Sequence, residues 1–293
     1  MKFKLTISRI ALVALAFQVS LLQVSSVSAS DRFANVSIES QWVAGNVSIL
    51  YGSGGNIGAL TGPDGILIID DQFEPLAPKI EASLAKLSSK DLDKVSYVVN
   101  THYHGDHTGG NVYFSKSASV LAHENVRKRL AAKGTSSGLP VITYQDGVKL
   151  HINGETVHVR HLASGHTDGD SVVYFEKANV WHLGDLLFEK RFPYIDLEGG
   201  GSVSGYIKNL TLLLTQIDDK AKVIPGHGQL TDKSGIHAVL QMIESTYAQV
   251  REMKQRGLTQ EQVMDKGLGS QWRNWSWAFI DEAKWIKTLY ASK

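Results

Sequence analysis

The sequence predicts an α/β protein in which sheets and helices pack in layers, and three observations support this. Strand-like and helical segments are interleaved through both halves of the chain. The continuous apolar run Ile66–Ile69 is typical of a strand buried on both faces. No proline- or serine-rich linker, charge block or internal repeat divides the chain, which favours a single domain after the N-terminal segment.

In the first half, β-branched and apolar residues predict strands at 43–51, Ile66–Ile69, 95–99 and 119–122. Glycine-rich stretches at 52–58 and 62–65 predict turns between strands. Apolar residues at helical spacing predict a helix at 76–87, with prolines near its start. A second helix is predicted at 123–133.

In the second half, short runs at hairpin spacing predict strands at 148–150, 155–162, Ser171–Phe175, 179–183 and Lys222–Ile224. Helices are predicted at 201–217, 233–256, 259–266 and 278–290. The third of these helices begins with Thr259 and has Gln262 three residues later, which is the pattern of a capping box.

Composition limits the function classes. The 293 residues carry a formal net charge of +1, so charge suggests neither a nucleic-acid nor an anionic-membrane partner. There are no cysteines, which excludes disulfides, thiolate ligands and cysteine nucleophiles.

The N-terminus predicts export. Lys2, Lys4 and Arg9 precede a mostly apolar run at 10–22, and a small-residue cleavage signal ends at Ala29. The apolar run is short for a membrane span of about 20 residues. We therefore predict a signal peptide at 1–29, cleavage after Ala29 and a periplasmic or secreted domain at 30–293 with no stable membrane insertion.

A dense group of metal-ligand residues follows the predicted strand at 95–99. Three imidazoles and one carboxylate fall within six residues: His102, His104, Asp106 and His107. Nitrogen and oxygen donors of this kind hold Zn²⁺ and similar first-row ions. The end of a strand entering a loop is a usual place for a site on a rigid scaffold.

Three later residues have matching chemistry. His166 follows the strand that ends near residue 162, Asp185 lies just past another strand, and His227 occupies a Pro-Gly-His-Gly turn. Neighbouring glycines let the backbone bend, so these side chains can reach a common point. Together with the first group they make seven candidate ligands at four strand ends.

This pattern resembles the metallo-β-lactamase superfamily. The H-x-H-x-D-H motif, the later His, the Asp of a Gly-Asp step and the His of a Pro-Gly-His-Gly turn occur in the same order. The resemblance covers essentially all of the chain after residue 29. It implies an αββα sandwich: two mixed β-sheets packed together, flanked by helices, with a dinuclear site at one edge.

The resemblance also implies a division of ligands. His102, His104 and His166 would hold one metal, Asp106, His107 and His227 the other, and Asp185 would bridge them. Two Zn²⁺ ions are implied, with iron or manganese as alternatives. A bridging hydroxide would attack the substrate, since zinc lowers the pKa of water to about 7. Asp106 is the catalytic candidate that orients this nucleophile or moves its proton.

Asp70, at the end of a buried strand, is the candidate to accept a hydrogen bond from a ligand histidine, with a plain strand-end cap as the alternative. The remaining histidines are predicted to be structural or surface residues: His123, His151, His158, His161, His182 and His237. The late tryptophans are predicted to pack among helices. Specificity loops are predicted at 52–58, 134–146 and 186–205. In the last loop, Lys190, Arg191 and Tyr194 could contact an anionic substrate, although a solvated loop is the favoured interpretation.

The leading interpretation is an exported zinc hydrolase of a small ester, lactone, thioester or amide, with β-lactams among the candidates. The alternative is a non-hydrolytic metal-binding accessory protein of a periplasmic pathway, for example a quinoprotein-associated one. A redox di-iron protein is a third reading, although such relatives carry a carboxylate where His104 stands. Fold alone does not choose a substrate.

Overall fold

The computed structural model describes residues 32–88 and 94–292 of the chain. The predicted signal peptide at 1–29 and its cleavage point lie outside these residues. Among the helices of the described part, none is both long and apolar enough to span a bilayer.

The first sheet has seven strands in sequence order. They are β1 (Glu39–Ala44), β2 (Val47–Tyr51), β3 (Ile57–Leu60), β4 (Ile66–Ile69), β5 (Val95–Asn100), β6 (Ser119–His123) and β7 (Ile142–Tyr144). Strands β1 to β4 pair antiparallel, and β4 to β7 pair parallel, so the sheet is mixed.

The second sheet has five strands: β8 (Gly147–Ile152), β9 (Glu155–His161), β10 (Ser171–Phe175), β11 (Val180–His182) and β12 (Lys222–Ile224). Its spatial order is β12-β11-β10-β9-β8. The pairs are antiparallel except β11 with β12, which are parallel.

The helices flank these sheets. They are α1 (Ala77–Leu84), α2 (Gly105–Thr108), α3 (Asn111–Phe114), α4 (Glu124–Ala132), α5 (Val203–Gln216), α6 (Lys233–Gln255), α7 (Gln260–Lys266) and α8 (Glu282–Ala291). Short 3₁₀ turns occupy Glu74–Leu76, Gly184–Leu186 and Ser270–Trp275. The capping box at Thr259 is present.

Side-chain alternation along the strands creates the layers. In β4, Leu67 and Ile69 face the core between the two sheets, whereas Ile66 and Ile68 face helix α1. In β10, Val173 and Phe175 face the first sheet, and Val172 packs toward α5, α6 and α8. The central strands of each sheet are therefore buried on both faces, and the predicted αββα sandwich is confirmed.

Several predicted boundaries are wrong. The strand predicted at 43–51 is a hairpin, because Gly45 turns the chain with φ +52° between β1 and β2. Strand β3 begins inside the predicted turn at 52–58, and β7 lies inside the predicted loop at 134–146. The last helix begins at Glu282 rather than 278 because Asp281 caps it, its side chain accepting a hydrogen bond from Lys284 N.

The topology brings four chain segments to one edge of the sandwich. Strands β9 and β11 both run antiparallel to β10, and β12 runs parallel to β11, so these three strands end on the same side. The loop after β5 meets the loop after β9 there, since Ser171 N donates to Thr101 O at 2.7 Å. The seven candidate ligands follow these strand ends.

Candidate metal centre

Seven side chains form two adjoining groups in which one ligand atom per residue lies within 4.8 Å of the others. The first subsite is defined here as His102, His104 and His166, and the second subsite as Asp106, His107 and His227. Asp185 lies between them. The structure thus brings together all seven residues that the sequence indicates.

In the first subsite, three imidazole nitrogens converge. His166 Nε2 lies 2.8 Å from His104 Nδ1. The Oδ2 atom of Asp185 lies 3.4 Å from His166 Nε2 and 3.7 Å from His102 Nε2. Nitrogen lone pairs that face one another at such distances suit a shared cation, because neutral imidazole nitrogens otherwise repel.

In the second subsite, His107 Nε2 and His227 Nε2 lie 3.4 Å apart. Asp106 Oδ2 lies 3.3 Å from the His227 nitrogen and 3.6 Å from the His107 nitrogen. The other carboxylate oxygen of Asp185, Oδ1, lies 3.1 Å from His107 and 3.5 Å from His227. Asp185 therefore turns one oxygen toward each subsite.

The donor set fits divalent metal ions. His102 Nε2 and Asp185 Oδ1 are buried, and neither makes a hydrogen bond within the described residues. A buried polar atom without a partner is costly, and a metal ion would satisfy both atoms. Imidazole and carboxylate donors without thiolates suit zinc, iron or manganese.

Burial dominates the electrostatics of the first subsite. It lowers the pKa of His102 well below its ordinary value and that of His166 to about 4, despite the Asp185 carboxylate. Both imidazoles are therefore neutral at pH 7, which leaves their lone pairs free for a metal.

Carboxylates dominate the second subsite. Burial by itself would lower the pKa of His107, but Asp185, Asp106 and Asp70 outweigh it and hold the pKa well above its usual range. Burial would also lower the pKa of His227, but Asp185 and Asp106 outweigh it and raise that pKa to about 9. Burial would raise the pKa of Asp106, but His107 and His227 lower it to about 2.

Asp70 follows strand β4 and connects it by hydrogen bonds to the segment that carries His102 to His107. It is fully buried, and its carboxylate accepts hydrogen bonds of 2.7 Å from Thr101 N and Thr101 Oγ1. Its Oδ2 also lies 2.7 Å from His107 Nδ1, which orients the imidazole so that Nε2 faces the second subsite. The carboxylate occupies the position that the sequence-based hypothesis requires.

The glycine-rich stretch after β2 shapes the second subsite. A Cβ on Gly55 would lie 2.2 Å from His107 Cε1, so only glycine lets this loop pass the imidazole. Next to it, buried Asn56 donates from Nδ2 to Pro225 O and Gly228 O, both at 2.9 Å, and so fixes the turn that carries His227. Sequence reasoning missed this role of Asn56.

His166 is held by its own loop. Asp170 Oδ2 accepts a hydrogen bond from His166 N at 2.7 Å, and His166 Nδ1 lies 2.6 Å from the carbonyl oxygen of Tyr194. These contacts fix the backbone and the ring, which leaves Nε2 facing Asp185. Burial raises the pKa of Asp170 to about 7, although its hydrogen bonds with Thr167 and His166 oppose the shift.

Asp196 is a site residue that sequence reasoning missed. Its Oδ2 lies 2.9 Å from His104 Nε2 and accepts a hydrogen bond from the Tyr103 hydroxyl, while Oδ1 accepts from Gly199 N. Burial opposes ionisation, but the His104 and Tyr103 contacts hold the pKa of Asp196 well below its usual range. Asp196 orients His104 in the way that Asp70 orients His107.

A cleft of about 960 Å³ opens over the two subsites. His104, Asp106, Asp185 and His227 face it from the floor. Asp106 is the more accessible carboxylate, with 29% of its side chain exposed against 4% for Asp185. Asp106 is therefore the carboxylate that a reacting molecule can reach.

Other sequence-based assignments have mixed outcomes. His182 is buried against Asn56 O, as expected of a structural histidine. Trp285 packs in the core and Trp277 packs against it, as predicted, but Trp277 also lines the cleft. Lys190 is solvated as expected, whereas Arg191 and Tyr194 line the cleft.

Comparisons with known proteins agree with this fold. The 2,4-dinitroanisole O-demethylase subunit alpha of Nocardioides sp. (strain JS1661) is 24% identical over 193 residues, covering 65% of this chain and 57% of that protein. Metallo-beta-lactamase IND-1 of Chryseobacterium indologenes is 23% identical over 180 residues, covering 61% and 74%. The matches to the first three curated relatives span only 39%, 57% and 40% of those proteins.

Among solved structures, the metallo-beta-lactamase from Pontibacter korlensis has the same fold, with a TM-score of 0.60 at 19% identity over 71% of this chain and 99% of that one. The family model described as "Metallo-beta-lactamase superfamily" matches residues 50–228, which is more than half of the chain. The chain therefore belongs to the metallo-β-lactamase superfamily.

Proposed function

We propose that the protein is an exported, zinc-dependent hydrolase that cleaves an ester, lactone, thioester or amide, with β-lactams among the candidate substrates. One observation carries this proposal: the two oxygens of Asp185 face separate groups of metal-ligating side chains at the floor of an open cleft. Two-metal sites of this kind serve hydrolytic displacement reactions.

When bound, two divalent ions would polarise the substrate carbonyl and make water more acidic. The chain's own residues would do the rest. Asp106 is ionised and faces the cleft, so its carboxylate can orient an attacking water and accept its proton. Asp70 and Asp196 hold His107 and His104 in position, which keeps the ligand geometry fixed during the reaction.

The relatives support a hydrolase and leave the substrate open. One is named a metallo-β-lactamase and another an O-demethylase subunit. The substrate therefore has to be found by experiment, beginning with acyl compounds whose bonds span a range of reactivity.

The test combines metal analysis with a substrate panel. Purified protein should contain about two metal ions per chain and should hydrolyse at least one member of a set comprising nitrocefin, an aryl ester, a γ-lactone and a thioester. Chelation should abolish the activity, and zinc should restore it. N-terminal sequencing of protein recovered from the periplasm or medium should begin at Ser30.

The test variant is His104→Ala, which removes one metal ligand and leaves Asp106 in place. It should lose metal and activity together. Loss of metal with unchanged hydrolysis would contradict the proposal. Two bound metals with no hydrolysis of any panel member would favour the accessory-protein alternative.

A further inference from the structure

One wall of the cleft comes from a part of the chain beyond the range that matches the family model. Trp277 and Phe279 lie between the last 3₁₀ turn and helix α8, whereas the match ends at residue 228. Both line the cleft. The Trp277 ring centroid is 5.7 Å from that of His227, a second-subsite ligand, and the Phe279 centroid is 5.4 Å from that of Tyr194. We call Tyr194, Trp277 and Phe279 the aromatic wall.

The aromatic wall is held in place. Trp277 Nε1 donates to Phe192 O at 2.9 Å, and Trp277 N donates to Ile280 O at 3.0 Å. Ile280 is buried, which anchors the segment to the helical core. The rings are therefore a preformed surface.

Part of the aromatic wall stays exposed in the cleft, although Tyr194 and Trp277 also pack against the helical core. The Phe279 side chain belongs to a residue 51% exposed, one of the few large hydrophobic residues with that much exposure among those described. Its ring stands 5.6 Å from that of Trp277 at an interplanar angle of 61°. Two inclined rings that open onto a cleft offer faces and edges to a third, flat ring.

A cation stands beside the wall. The Arg191 guanidinium lies 5.3 Å from the Trp277 ring centroid, and it has no ion-pair partner among residues 32–88 and 94–292. Arg129, across the cleft, differs because its guanidinium pairs with the Asp168 carboxylate. On that far side, Lys133 lies over the Tyr103 ring at 4.3 Å and is likewise without a carboxylate partner in the described chain. Arg191 and Lys133 therefore place two cations along the cleft, which the exposed carboxylate of Glu198 also lines.

The floor has the opposite charge. Asp106, Asp185 and Asp196 contribute carboxylates, and Glu198 lines the same cleft. Two bound divalent ions would offset the Asp106 and Asp185 carboxylates, so the Arg191 guanidinium would attract an anionic group that lies beside the aromatic wall. The aromatic wall and Arg191 therefore lie side by side above the metal ligands, where they can bind a ring and an anionic group of one substrate.

We propose that the aromatic wall and Arg191 form a substrate subsite for a flat, ring-bearing acyl compound that carries an anionic group. This inference rests on the proposed hydrolase function and names its substrate class. Because Trp277 lies against the ligand His227, a substrate ring that stacks on the wall would sit within a few bonds of the substrate's scissile carbonyl. Short-chain arylalkanoic acid derivatives fit this arrangement, and long-chain aliphatic ones do not use the rings.

Binding of three related probes to the metal-loaded full chain tests the proposal by calorimetry. Phenylacetate has a flat ring and a charge, cyclohexylacetate has a puckered ring of similar size, and phenylacetamide lacks the charge. We expect phenylacetate to bind roughly three- to tenfold more tightly than cyclohexylacetate, which is the range of aromatic pair interactions. Both probes carry the same carboxylate, so its contribution cancels and this ratio isolates the ring.

Matched variants locate the effect. Phe279→Leu should remove most of the ring preference and Phe279→Tyr should keep it. Arg191→Gln should weaken phenylacetate about two- to fivefold, as expected for a partly exposed charge pair, and should leave phenylacetamide unchanged. Trp42→Leu is the control, because Trp42 is 67% exposed and lies outside the cleft.

Equal affinity for phenylacetate and cyclohexylacetate in the unaltered protein would overturn the proposal. So would identical behaviour of Phe279→Leu and Phe279→Tyr. The measurement involves no turnover, so its failure leaves the hydrolase proposal standing. Conversely, a clear preference for the flat ring in a protein that hydrolyses nothing would contradict the hydrolase proposal but still support the subsite.

Discussion

The two metal subsites are built from similar side chains but differ in charge. The first holds three imidazoles and has only a share of the Asp185 carboxylate. The second has Asp106 in addition, and Asp70 stands directly behind His107. Burial therefore decides protonation in the first subsite, whereas carboxylates decide it in the second.

This difference in charge determines whether a metal ion has to displace protons when it binds at each subsite. Ligand imidazoles have to be neutral to bind a metal. In the first subsite His102 and His166 are neutral already, but in the second His107 and His227 carry protons that balance the nearby carboxylates. Occupation of the second subsite is therefore coupled to the release of these protons, whereas His102 and His166 release none.

Asp185→Asn should have the largest effect because this carboxylate serves both subsites. The amide removes the shared negative charge, so we expect loss of both metals and a decrease in kcat/KM on the order of 10³-fold, since metal-ion catalysis is worth several kcal/mol. Metal content by mass spectrometry and initial rates measure the effect. Retention of two metals by the variant would show that Asp185 is not the bridge.

Single-ligand variants should separate the subsites. His227→Ala should remove the metal of the second subsite, leaving about one ion per chain in a two-metal site, because the three imidazoles of the first are untouched. His102→Ala should instead empty the first subsite. Metal-to-protein ratios after dialysis compare the two. Identical losses in both variants would mean that the subsites fill only as a unit.

The pH dependence of metal binding should differ between the subsites. The pKa of His227 is raised to about 9 in the metal-free protein, so a proton has to leave whenever metal binds below that pH. Apparent affinity at the second subsite should fall about tenfold per pH unit for each displaced proton, and therefore up to about a hundredfold per unit where both His107 and His227 are protonated. Burial lowers the pKa of His102 and that of His166 (to about 4), so these two imidazoles have no proton to release at the first subsite between pH 6 and 9.

Titration of metal-free protein with zinc at pH 6, 7 and 8 checks this expectation. We expect two classes of zinc site whose affinities diverge as the pH decreases. Parallel decreases for both classes would contradict the difference in charge.

Substitutions behind the ligands should have the smallest effects. Asp70→Asn should weaken metal binding at the second subsite, and Asp196→Asn at the first, each roughly 10- to 100-fold, because each carboxylate orients one ligand imidazole. Competition with a chelator measures these affinities. Asp219→Asn, an exposed carboxylate far from the ligands, is the control. Equal effects of Asp70→Asn on both subsites would show a general loss of stability instead.

The ligands could be predicted from the sequence because each one sits in a local pattern. Closely spaced imidazoles after a strand, or a histidine between two glycines, have few structural explanations, and the resemblance to a family supplies their order. The layered fold follows from interleaved strand and helix patterns. Asp70 could be identified because it ends a buried apolar run.

The residues missed by sequence reasoning act across long chain separations. Asp196 reaches His104 over 92 positions, and Asn56 reaches Pro225 over 169. An aspartate in a loop or an asparagine beside glycines has no local pattern that separates such a role from an ordinary turn. The position of Trp277 among the last predicted helices indicates packing, which it does, and only the folded chain shows that it also faces the cleft.

Crystals of the metal-loaded protein, measured at the absorption edge of the metal that mass spectrometry identifies, test the two-subsite account most directly. The account predicts two anomalous peaks about 3.5–4 Å apart. One should lie among His102, His104 and His166, the other among Asp106, His107 and His227, with Asp185 between them. A single peak shared by all seven side chains, or peaks outside both subsites, would contradict it.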